Sequence, residues 1–197
     1  DIIRDSCVEN ITAQEIARRL HTSTRPVFTY FNTLEDLRTA ATLRAKQLYN
    51  AYADRGLAMT PAFKGYAMEY IHFAAQEPSL FRLLFMGKSR QQSLLRFLDM
   101  EGHLPVVRET LMATFHLTPE QADWLYQNMW LYAHGLAALC ASEAVHFTQA
   151  EIAEKLGVLC RGLLIALHAP KDERTQIVPG QDVSLPGSVE DYMNLKR

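Results

Sequence analysis

Apolar residues recur at intervals of three and four along most of this chain, and alternating, strand-like runs are nearly absent, so the pattern predicts helices. In one segment Leu34, Leu37, Ala41, Leu48 and Tyr52 repeat at such spacing. Local signals punctuate the helix starts. Thr12-Ala13-Gln14-Glu15, Thr118-Pro119-Glu120-Gln121 and Thr148-Gln149-Ala150-Glu151 each set a hydroxyl three residues ahead of a Glu or Gln, the arrangement of a reciprocal capping box. Thr33 before Leu34-Glu35-Asp36 and Thr60 before Pro61 mark two more, because acids suit the positive end of a helix and proline its first position. The expected helices lie near 1–9, 13–20, 24–31, 34–54, 61–76, 79–86, 90–98, 104–116, 119–142 and 149–168. The opening residues already read as the end of an amphipathic helix, with Ile2, Ile3 and Cys7 apolar, so the first helix is expected to begin before Asp1. From 170 to 197, prolines and glycines replace the periodicity, which predicts a tail or an extended arm. The fold class expected is all-α.

Composition narrows the class. Hydrophobic residues at 48% and charged residues at 21% are ordinary globular values, which disfavours disorder, collagen-like repeats and a coiled-coil rod. No apolar run approaches the roughly 18 residues of a membrane helix, and no signal-peptide pattern opens the chain, so no membrane partner is expected. Cys7, Cys140 and Cys160 are far apart and include no CxxC pair, which fits a reducing cytoplasm. The net charge of −2 is unevenly spread. Residues 11–50 carry Arg18, Arg19, Arg25, Arg38, Arg44 and Lys46 against Glu15, Glu35 and Asp36, a local charge of +3 that leaves −5 for the remainder. A basic segment on an acidic body presents its positive face to phosphates.

Residues 12–31 contain two short helical segments joined by a tight connection. Ile16, Ala17 and Leu20 can supply the apolar stripe of the first, and Val27, Phe28 and Phe31 that of the second. Ala17 suits a close helix crossing, Ser23 or Thr22 can cap the second helix, and Pro26 falls within its first turn, where a missing N–H is harmless. This is the grammar of a helix-turn-helix, whose second helix enters the major groove. Ile11-Thr12-Ala13-Gln14-Glu15-Ile16-Ala17, Ser23-Thr24-Arg25-Pro26-Val27-Phe28-Thr29-Tyr30-Phe31 and Leu34-Glu35-Asp36-Leu37 together resemble the TetR family of transcriptional regulators. Trp130-Leu131-Tyr132-Ala133-His134-Gly135-Leu136 resembles a segment of the ligand-binding domains of many such proteins.

The resemblance implies a helix-turn-helix DNA-binding head at 1–33, a linking helix at 34–54, a helical ligand-binding and dimerisation domain at 55–169, and a tail at 170–197. It implies a homodimer on double-stranded, palindromic operator DNA, acting as a repressor. Thr24, Arg25, Thr29 and Tyr30 would lie on the exposed face of the recognition helix, with Thr22, Ser23 and Arg38 as further DNA contacts. Arg25 is the candidate for base readout, since a guanidinium can bond guanine through two parallel contacts. The chain departs from the family's common pattern at His21, Phe28 and Leu34, where glycine, tyrosine and lysine are frequent and the last two commonly touch phosphate. Arg18, Arg19, Arg38 and Arg44 are the basic residues able to compensate.

Aromatic and methionine side chains are abundant in the remainder. Most read as ordinary core, but Tyr66, Tyr70, Phe73, Met112, Trp130 and His134 have the composition of an apolar pocket with a few orienting hydrogen bonds, suited to a small apolar or aromatic effector. The histidines lack the i, i+4 spacing with an acid that preorganises a metal site, and no cofactor is expected. No GxSxG, P-loop or dinucleotide glycine pattern occurs, so an enzyme is not expected. A helical small-molecule carrier or enzyme without specific DNA binding is the alternative. Leu125, Met129, Leu136, Leu139 and Cys140, with Ile152, Leu156, Leu159, Leu163 and Leu167, make two stripes from which a dimer contact is expected.

Overall fold

The computed structural model describes residues 4, 12–87, 98 and 102–167. The expected helix near 1–9 except Arg4, Cys7, nearly all of the helix near 90–98, and the segment from 170 onward lie outside the described residues. Eight helices occur among those described, with no strand: α1 (Ala13–Arg19), α2 (Arg25–Tyr30), α3 (Leu34–Leu57), α4 (Ala62–Gln76), α5 (Pro78–Phe85), α6 (Leu104–Phe115), α7 (Pro119–Ala141) and α8 (Gln149–Leu167). The protein is all-α. No helix among them is long and apolar enough to cross a membrane. The chain divides into a unit ending at Leu164 and a second beginning at Ile165, of which only Ile165–Leu167 are described.

Caps explain where several helices start. Thr33 and Asp36 form a complete capping box on α3, Thr118 and Gln121 do so on α7, and Thr148 and Glu151 exchange the same pair of bonds ahead of α8. At α1 the box is half made. Thr12 Oγ1 accepts from the Glu15 N–H at 3.1 Å, while the Glu15 carboxylate turns to arginines instead. Two expected caps are corrected. Helix α2 begins after Thr24, which makes no side-chain cap bond, rather than after Ser23 or Thr22. Thr60 does not cap α4; Pro61 occupies the cap position, and its carbonyl accepts from the Gly65 N–H at 3.0 Å.

Helix α4 is the centre of the larger bundle. Phe63, Tyr66, Ala67, Tyr70, Ile71, Phe73 and Ala74 are buried on more than one side, as expected of a helix flanked by neighbours, here chiefly α3 and α7. Helix α3 reaches Leu57, nearly a turn beyond the expected end, and meets α4 through Gly56 and Gly65. Its buried stripe is Leu37, Ala45, Tyr49, Ala53 and Gly56, so Leu48 and Tyr52, expected to face inward, lie at its half-buried flanks.

Most residues expected at a dimer contact are used inside the chain. Leu125, Met129, Leu136, Cys140, Ile152 and Leu156 are buried, Leu159 and Leu163 half-buried. An open face of α7 carries Leu139 of the expected stripe together with Leu131, Tyr132 and Gly135. Val158, Arg161 and Gly162 form an open face on α8. The helix period accounts for this division, because residues one position apart differ by about 100° in direction, so most of each stripe fills the chain's own core while a neighbouring strip of the same helix stays open.

Candidate functional site

The loop between α1 and α2 is set by backbone hydrogen bonds. The Thr22 N–H donates to the Ala17 carbonyl at 2.9 Å and the His21 N–H to the Arg18 carbonyl at 3.3 Å, the two bonds of a Schellman ending. The residue at its pivot must be left-handed, and His21 has φ 51°. A residue with a Cβ at this left-handed position carries a backbone cost that glycine would not.

A small core fastens the pair to α3. Ala13, Val27 and Leu37 are buried together, with Ile16, Phe31, Leu34 and Ala41 packed against them. Ala17 is buried as expected, but Leu20 and Phe28 are not in this core: they are 66% and 50% exposed. Leu20 stands past the last turn of α1, and Phe28 is one residue from Val27 on a helix only six residues long, so it points elsewhere. Val27 is the only buried residue of α2. The rest of that helix faces outward.

Thr22, Ser23, Arg25 and Thr29 are exposed and Thr24 is half-buried. Tyr30, at 84%, is the most exposed of the large apolar and aromatic residues described. Arg25 and Thr29 are one turn apart, and the Thr29 hydroxyl donates to the Arg25 carbonyl at 3.1 Å. Arg38 is half-buried on α3, its Nη1 3.9 Å from a Glu35 oxygen. Leu34 packs inward and offers no polar group.

The cations expected to compensate are partly engaged. Glu15 accepts from Arg18 Nε and Nη2 at 2.8 and 2.7 Å and from Arg19 Nε at 2.9 Å. These bonds hold its carboxyl down at about pH 2 and raise the Arg18 guanidinium. Arg44 donates to Gln47 at 3.1 Å. The i, i+3 and i, i+4 spacing of Glu15 to the two arginines is the sequence signal for this cluster, beside its place in the expected capping box.

The second candidate region lies between α4 and α7. Tyr66, Tyr70 and Trp130 line a cavity of about 10 Å³ together with Tyr126, Met129 and Ala133. That is close to the space one water needs. His134 sits beside it, its ring stacked on Trp130 at 4.6 Å and its Nδ1 2.9 Å from the Tyr70 hydroxyl. Burial pushes the His134 pKa down, so the neutral ring is favoured. Phe73 is fully buried one layer away, against Tyr49, Tyr52 and Phe85, and Met112 is half-buried on α6 rather than in the lining. A chain of phenols that sequence reasoning missed links Tyr49 Oη to Tyr66 Oη at 3.2 Å and Tyr66 Oη to Tyr126 Oη at 3.3 Å. His103, also missed, is buried with its ring 5.9 Å from both Tyr49 and Tyr66.

Among the described residues no group of three or more His, Cys, Asp or Glu is placed to hold a metal ion. Burial raises the Cys140 and Cys160 thiols, which favours the unreactive protonated form. Comparison with protein-family models, with curated proteins and with solved structures finds no match to this chain.

Proposed function

We propose that the chain is a ligand-responsive transcriptional regulator of the TetR type, binding double-stranded operator DNA as a homodimer through the α1–α2 pair. The observation that carries this reading is α2 itself. A six-residue helix that buries only Val27 gains little from its own packing, yet a Schellman turn and a three-residue core hold it at a set angle with Arg25, Thr29 and Tyr30 directed outward. Such a helix is suited to insertion into a groove, where Arg25 reads a base and the hydroxyls of Thr22, Ser23 and Tyr30 reach phosphates. The local charge of +3 supports the same reading.

The dimer reading is supported by the open faces of α7 and α8. Leu131, Leu139 and Val158 are 54%, 41% and 57% exposed, and Gly135 and Gly162 have nothing within 4 Å of where a Cβ would stand. Exposed glycines inside helices cost about 1 kcal/mol each relative to alanine, and close approach by a second copy's helix offsets that cost. The effector reading is supported by the cluster of Tyr66, Tyr70, Trp130 and His134. Its small cavity means that an apolar effector must part these rings on entry. Repression is the proposed mode, with the effector releasing DNA.

Selection from a random duplex pool, followed by titration of the enriched duplex against scrambled competitor at several salt concentrations, tests this function. Sequence-selective and salt-sensitive binding is expected. Equal, weak binding to every duplex would leave the carrier or enzyme reading in its place.

A further inference from the structure

Val27 fixes which way α2 faces. It is the buried residue of that helix, and at about 100° per residue Arg25 and Thr29 come round to the opposite side, with Pro26 and Phe28 on the two flanks. All of these are exposed, Phe28 to 50%. Phe28 follows Arg25 by three positions, which sets the two side chains next to each other on the helix surface.

The chemistry of this face is one-sided. Arg25 brings donors only, Pro26 and Phe28 bring no polar side-chain group, and the Thr29 hydroxyl already gives its proton to the Arg25 carbonyl at 3.1 Å. No Asn, Gln, Asp or Glu occurs from Thr22 to Phe31, so the side chains that pair with adenine or accept from cytosine are absent from α2. The phenyl ring of Phe28, half in water, gains free energy from any partner that covers it with apolar atoms. On the base edges of the major groove, the group that can do so is the C5 methyl of thymine.

We propose that α2 selects a guanine beside a thymine, Arg25 donating to guanine N7 and O6 while Phe28 packs on the thymine methyl. The inference rests on the DNA-binding reading and takes it one step further, to the base step that the helix prefers. What α2 lacks enforces the choice. Adenine in place of the guanine turns its amino group, a donor, toward a guanidinium that accepts nothing. Cytosine in place of the thymine removes the methyl and sets an amino group near the phenyl ring.

Single-atom changes in the DNA test it. A duplex is first selected with the unaltered full chain; each thymine is then exchanged for deoxyuridine, which lacks only the methyl, and each guanine for 7-deazaguanine, whose N7 is a carbon. At one thymine per half-site the uridine exchange is expected to weaken binding about fourfold, the worth of one buried methyl group. The guanine beside it is expected to be sensitive to the deaza exchange. Phe28→Ala should bind the thymine and uridine duplexes alike at that position while keeping the deaza sensitivity, and Arg25→Ala should do the reverse. If Phe28→Ala loses all binding, Phe28→Val carries the comparison, with the uridine penalty falling below about twofold as apolar contact is trimmed. A selected duplex without a guanine–thymine step, no uridine penalty in the unaltered chain, or a penalty that persists in full without the Phe28 ring would overturn the proposal and leave the DNA-binding reading standing. Failure to select any duplex removes both, and that failure is seen before any base is exchanged.

Discussion

Gly56 and Gly65 put the backbones of α3 and α4 in direct contact: a Cβ added to Gly56 would stand 2.7 Å from both the Gly65 carbonyl oxygen and the Tyr66 Cα. A Cβ on Gly65 would collide with the Gly56 carbonyl oxygen and lie 2.7 Å from Met59 Cβ. The obstacles are mainly backbone, which cannot rotate away. Gly65→Ala is expected to destabilise the fold by about 1–3 kcal/mol despite alanine's better helix propensity, measured by urea unfolding. An unchanged midpoint would mean the helices are farther apart.

At His21 the expected change has the opposite sign. Its φ of 51° disfavours any residue with a Cβ, and His116, with φ 54° at the end of α6, shares the problem. His21→Gly and His116→Gly are each expected to stabilise by about 0.5–1 kcal/mol, the relief of strain exceeding glycine's extra freedom in the unfolded chain. Thermal unfolding checks this, and a lower midpoint for both would count against the left-handed assignment.

Glu15 holds two guanidiniums, and on the DNA-binding proposal it competes with phosphate for them. Glu15→Gln is expected to raise affinity for every duplex and to steepen its salt dependence, because Arg18 and Arg19 become available to phosphates. Sequence preference should be unchanged, since neither arginine is on α2. A flat response in both affinity and salt slope would show these arginines to lie away from the backbone.

His134 makes stability depend on pH. Its folded pKa is below the unfolded value near 6.5 because burial disfavours the imidazolium. Its contribution is therefore fully present above pH 6.5 and is lost as pH falls through the lower, folded value. Unfolding midpoints should drop between pH 7.5 and about pH 5 more in the unaltered protein than in His134→Gln. Parallel curves would remove His134 as the titrating group.

The open faces of α7 and α8 predict self-association. Leu139→Glu combined with Val158→Asp is expected to convert a dimer at micromolar concentration into a monomer with intact helical content, read by sedimentation. A monomer before substitution would refute the dimer directly.

How much was legible followed the range of the forces involved. The caps at Thr12, Thr33, Thr118 and Thr148 are contacts within four residues, and sequence pattern located all four. Period alone could not rank residues for burial on a helix as short as α2, so Phe28 was wrongly turned inward. Tyr66, Tyr70, Trp130 and His134 were chosen by side-chain type, but the Tyr70–His134 bond spans 64 residues and no local rule contains it. The Gly56–Gly65 crossing and the Tyr49–Tyr66–Tyr126 chain were illegible for the same reason. They exist only once α3, α4 and α7 have been brought together.

The linked phenols of Tyr49, Tyr66 and Tyr126 bear on how this interior can drift over generations. Exchanging Tyr66 for phenylalanine removes two hydrogen bonds of this buried chain at once, whereas exchanging Tyr49 or Tyr126 removes one and leaves Tyr66 bonded to the other. Tyr66, bonded on both sides, is therefore the member of the chain held most firmly to tyrosine.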